Sequence, residues 1–118
     1  MATFKKAKFT ESLNGRGIKI VNTSTPGNTI HQAVGGTEDF HEIWLYAYNH
    51  DVASVDVTIE YGGVTAPDDL IKQSVPSQSG LYLIIPGYPL QGGMEVKVYA
   101  SKQNVIMIHG FVNSIDQA

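Results

Sequence analysis

The chain contains no cysteine, which excludes a disulfide framework and any thiolate metal site. Charge is scarce as well. Only 16% of the residues are Asp, Glu, Lys or Arg, against about a quarter in an average soluble domain. The net charge of −3 lacks the basic footprint that a general nucleic-acid binder needs. No apolar run approaches the ~20 residues of a membrane span, and the opening MATFKKAKFTES has no apolar stretch of the kind that marks a secretory signal. Together these absences predict a protein made in the cytoplasm, with neither a nucleic-acid nor a membrane partner. Helical periodicity of useful length is missing too, so the fold is not built on helices.

What is present is β pattern. Short apolar or alternating runs are punctuated by turn residues such as Ser24-Thr25-Pro26-Gly27-Asn28, Gly35-Gly36, Gly62-Gly63 and Pro76-Ser77-Gln78-Ser79-Gly80. Strands are predicted over 17–22, 29–34, 40–49, 54–61, 70–75, 81–85, 94–100 and 105–112, with Pro86-Gly87 closing the sixth and Ser101–Asn104 joining the last two as a hairpin. In the run from Ser54 to Tyr61, Val55, Val57, Ile59 and Tyr61 face one way and Asp56, Thr58 and Glu60 the other, as in a half-exposed strand. About eight short strands at this spacing predict a single all-β domain, an antiparallel β-sandwich over residues 17–118. Jelly-roll-like connectivity is favoured over an immunoglobulin-like one, because the Cys-Trp-Cys spacing is absent.

Residues 1–16 differ in kind. Lys5, Lys6, Lys8 and Arg16 are half of all the basic residues, and Phe4 and Phe9 are the only large apolar side chains before Leu13. Their spacing fits neither helix nor strand, so this stretch reads as a loosely attached N-terminal arm that either frays or binds a partner.

The longest predicted strand, FHEIWLYAYN (Phe40 to Asn49), has two apolar faces. Side chains alternate along a strand, so Ile43, Leu45 and Ala47 form one face and Glu42, Trp44, Tyr46 and Tyr48 the other. The first is an ordinary core face. The second can be covered by a second layer of the same domain, by a ligand such as a sugar stacked on the rings, or by another protein chain.

Catalytic and metal chemistry find little support. His31, His41, His50 and His109 show no local metal-ligand spacing. Asp68 and Asp69 lack the dense oxygen run of a calcium loop, and the expected role of one of them is to cap the turn after Pro67. The glycine pairs match no phosphate-binding loop, and no serine lies in a nucleophile elbow.

The stretch from Thr58 to Asn113 resembles small virion structural proteins of tailed phages. Its TIEYGG strand end runs into TAPDDLI, then SGLYLIIPG, a PLQ corner and a closing strand ending HGFVN, with EIWLYAYN upstream belonging to the same pattern. The resemblance implies a capsid decoration, or cement, protein that binds the outside of the major capsid shell in the virion. It implies a homotrimer or dimer, no cofactor and no enzymatic activity. On that reading Trp44, Tyr46 and Tyr48 form the oligomer interface. Phe4, Lys5, Lys6, Lys8, Phe9 and Arg16 would form a capsid-binding arm, although the resemblance does not extend over those residues. The alternative is a carbohydrate-binding, receptor-reading module of a phage fibre or spike.

Overall fold

A computed structural model describes residues 3–117. All regular structure among them is β: β1 (Thr3–Ala7), β2 (Ile18–Lys19), β3 (Asn28–Gln32), β4 (Phe40–Asn49), β5 (Val55–Tyr61), β6 (Leu70–Val75), β7 (Tyr82–Leu90), β8 (Glu95–Ala100) and β9 (Ile106–Asp116). They form two antiparallel sheets packed as a β-sandwich. Sheet A has the order β1-β9-β4-β7, with β2 also pairing β9, and sheet B has the order β3-β8-β5-β6. The core lies between them. Ile43, Leu45 and Ala47 of β4 and Ile106, Ile108 and Val112 of β9 meet Val57 and Ile59 of β5 and Val96 and Val98 of β8, all fully buried. Seventeen buried apolar side chains in one cluster supply the driving force, at about 25 cal/mol per Å² of apolar surface withdrawn from water.

Polar groups caught at the ends of this core are paired, as burial demands. The side-chain amide of Asn49 donates to the Ala53 and Val75 carbonyls at 2.9 and 3.0 Å, and its oxygen accepts from the Asp51 N–H. The Tyr61 hydroxyl donates to the carbonyls of Tyr88 (2.9 Å) and Pro89 (3.2 Å), tying sheet B to sheet A. Asp69 accepts from the Thr65 N–H and so caps its turn as expected.

Four expectations from the sequence are corrected. Thr58 and Glu60 are buried, because the β2–β3 loop folds over the outer face of sheet B. There the Glu60 carboxylate accepts from the Thr25 hydroxyl and the Gly27 N–H. Pro86-Gly87 does not end its strand. Gly87 sits at φ +81° in a bulge of β7 against β4, and the strand resumes to Leu90, since glycine takes this conformation without steric cost. Residues 101–104 do not close a hairpin, because β8 belongs to sheet B and β9 to sheet A. Both strands turn their branched side chains into the same core, so they face each other across it. The turn is held by N–H groups of Ser101 and Asn104 donating to Asp56 and Ile20 carbonyls.

The fourth correction concerns the N-terminal segment, of which Met1 and Ala2 lie outside the described residues. It is built into the fold. β1 pairs antiparallel with the second half of β9, from Thr3↔Asp116 to Ala7↔Val112. Phe9 then drops into the core, 1% exposed, at a point where Gly110 of β9 leaves room. A Cβ on Gly110, whose φ is +142°, would collide with the Trp44 carbonyl and press on the Phe9 ring. Beyond Phe9 the chain crosses to sheet B, where the Glu11 N–H donates to the Ile30 carbonyl and the Thr10 hydroxyl accepts from the Gln32 N–H.

Candidate functional site

The register of sheet A assembles one continuous surface on its side away from the core. Across β9 and β4 the outward residues pair as Asn113 with Glu42, Phe111 with Trp44, His109 with Tyr46 and Met107 with Tyr48. Strand β7 extends these rungs with Pro89, Pro86 and Leu83 opposite Glu42, Trp44 and Tyr46. From β1, opposite Asn113, comes Lys6. Cross-strand neighbours of this kind stand about 4.5–5.5 Å apart at Cβ, close enough to pack.

Trp44 is the centre of the surface. Its ring lies nearly parallel to Phe111, with centroids 6.0 Å apart and planes 10° from parallel. On the β7 side the indole lies over Gly87, where a Cβ would come within 2.9 Å of it. Lys6 places its ammonium 4.5 Å from the Phe111 ring centroid, a cation–π contact that closes the row. The indole N–H is shielded from solvent and has no hydrogen-bond partner. Tyr46 is half-buried, and half-buried Tyr48 has its hydroxyl 2.9 Å from His50 Nδ1. Below the central rung, Asn113 donates to the Glu42 carboxylate at 3.2 Å.

Trp44, Tyr46 and Tyr48 therefore share one outer face. The residues proposed for a binding arm are dispersed. Lys6 and Phe4 lie on β1, with Phe4 67% exposed, while Lys5 and Lys8 are exposed beside them and Arg16 lies in the β1–β2 connection. Phe9 is a core residue and has no surface to offer a partner. Phe111, Met107 and Leu83 join the aromatic face without having been singled out in the sequence, and His109 and Lys6, read there in other roles, join it too. The alternation within β9 marks Met107, His109 and Phe111 as a set, but only the strand order puts that set beside Trp44.

A second cluster lies where the N-terminal segment crosses between the sheets. His31, 2% exposed, accepts the Thr10 N–H at Nδ1 (3.0 Å), and its Nε2 is 2.8 Å from His41 Nδ1. Because Nδ1 of His31 accepts, its proton sits on Nε2 and is donated to His41, which fixes both rings as neutral tautomers. The Phe9 ring packs on His31 at 5.6 Å. Burial, reinforced by the neighbouring His41, lowers the His31 pKa to about 4, and burial also lowers that of His41. Among the described residues no set of three or more His, Asp or Glu side chains converges on a metal position.

Comparison with known proteins adds no relative: no family model, no curated protein and no solved structure matches the chain.

Proposed function

We propose that this protein is a decoration, or cement, protein of a tailed-phage head. On this reading it binds the outer surface of the major capsid shell and stabilises it, working as a homotrimer joined through the outer face of sheet A. The observation that carries the proposal is that face. Trp44, Phe111, Tyr46, Tyr48, Met107 and Leu83 form a contiguous apolar surface in a domain whose core is already complete on the other side of the same strands. Aromatic side chains with polar tips and methionine are the types enriched at protein interfaces.

Two further features support it. The two antiparallel sheets, β1-β9-β4-β7 with β2 also pairing β9, and β3-β8-β5-β6, are compatible with jelly-roll connectivity, an architecture common to viral capsid and lectin domains. Fold alone does not assign function, but here it agrees with the resemblance over Thr58–Asn113. In a ring, three copies bring their aromatic faces together near one axis. Weak contacts repeated around that axis then bridge neighbouring shell subunits by avidity. The geometry favours a protein contact over sugar stacking, because Phe111 and Gly87 already flank the two sides of the Trp44 ring.

Co-sedimentation tests the proposal. Purified protein is mixed with mature heads stripped of decoration, and the pellet is assayed. The wild-type chain is expected to bind saturably, and Tyr46→Glu to keep its fold and lose binding. A wild-type chain that stays in the supernatant overturns the reading. A glycan-array signal abolished by Trp44→Ala would assign the face to carbohydrate instead.

A further inference from the structure

A β-sandwich has exposed strand edges, and an edge left open is a template for another strand unless something blunts it. Three of the edges here are blunted. β7 is interrupted by two bulges against β4, and its Pro86 and Pro89 have no N–H to donate. β3 is covered by Thr10 and Glu11, which hydrogen-bond along it. In β6 the Ser74 carbonyl is taken by the Gln73 side-chain amide, and Pro76 follows the strand directly.

β1 is different. It ends the order of sheet A, it runs through five consecutive register pairs with β9 without a bulge, and it contains no proline. All five of its residues are exposed. Alternate residues of such a strand turn their N–H and C=O groups away from the sheet, and among the described residues no strand pairs with that side.

The charge around this edge is mostly positive. Lys5, Lys6, Lys8, Arg16 and Lys19 stand against a single acid, Glu11, in the first nineteen residues, whereas the rest of the chain holds three cations against ten acids. β2, carrying Lys19, lies along the same edge of β9 as β1. The one carboxylate in register with β1 is Asp116, opposite Thr3 at the far end. Lysines on an edge repel a second copy of the same edge, but they attract an acidic strand.

We propose that the free edge of β1 is a docking site for an acidic, extended protein segment, which adds to sheet A as a further strand. Main-chain hydrogen bonds supply the affinity, and Lys5, Lys8 and Lys19 select the charge. The inference does not depend on the capsid reading, since an acidic strand can bind here whether or not phage heads do.

The test uses the full chain and a short blocked peptide of alternating valine and glutamate. Titration at low salt is followed by hydrogen exchange of the β1 amides. The expected result is saturable binding that slows exchange within Thr3–Ala7. Lys5→Glu combined with Lys8→Glu is expected to weaken binding about tenfold or more, as reversal of close charge pairs does. Lys6 is left in place because its ammonium rests on Phe111. The exchange readout on the wild-type chain stands even if the double variant folds poorly. Absence of binding overturns the proposal. So does protection that appears elsewhere than β1, or equally tight binding of poly-glutamate or a short DNA duplex, since either would show a site for any polyanion.

Discussion

The two imidazoles at the sheet crossing form a hydrogen-bonded relay that works in one charge state only. With His31 accepting from Thr10 and donating to His41, a proton added at Nδ1 of either ring sets one N–H against another. Both pKa values are lowered by burial, that of His31 to about 4. A group whose folded pKa lies below its unfolded value of about 6.5 stabilises the fold fully above that value. The contribution is lost as the pH falls, because the unfolded chain takes up the proton first. Urea-unfolding midpoints are therefore expected to fall steadily from pH 7 towards pH 4, with His31 contributing roughly 3 kcal/mol to the loss. Midpoints that stay constant over this window would contradict the neutral relay. At this scale little was legible in the sequence: His31 and His41 are ten positions apart on different sheets, and only the packing of the two sheets brings them into contact. The alternation that separated Ile43, Leu45 and Ala47 from Trp44, Tyr46 and Tyr48 was legible, because it follows from the pleat of a single strand.

Among the elements, the N-terminal segment has the largest consequences. β1 and the Thr10–Glu11 stretch belong to opposite sheets, and Phe9 is the pin between them. Phe9→Ala removes a fully buried ring and leaves a cavity against Gly110 and His31, a change that costs about 3–5 kcal/mol in comparable cores. Denaturant unfolding is expected to report a loss of that size, together with faster hydrogen exchange across Thr3–Ala7. A loss below about 1 kcal/mol, within the range of ordinary surface substitutions, would mean that the segment is not anchored by this ring. In the sequence the segment looks loose because the spacing of Phe4 and Phe9 among Lys5, Lys6 and Lys8 fits neither helix nor strand. Those lysines sit on an exposed edge strand, where charge is compatible with pairing to β9. Strand positions elsewhere were readable wherever apolar alternation met turn residues, as in β4 and β6. The reading failed where a glycine served as a bulge and not as a stop, at Gly87. It failed again where two strands close in sequence joined different sheets, at β8 and β9.

For the molecule as a whole, three surfaces are differentiated. One is the apolar outer face of sheet A around Trp44. Another is the cationic edge carried by β1 and β2. On the far side, the outer face of sheet B is partly roofed by its own β2–β3 loop through Glu60. The all-β sandwich could be read from strand spacing alone, whereas the aromatic face became complete only when strand order set β9 and β7 beside β4. On the proposed function, this face is covered by further copies of the chain. The most direct test of that proposal is the mass of the purified protein by size-exclusion chromatography with light scattering, for the wild type and for Tyr46→Glu. A wild-type mass near three times the 12.8 kDa chain is expected, with a folded single chain for the variant. A wild-type protein that remains at 12.8 kDa at every concentration tested would contradict the proposal.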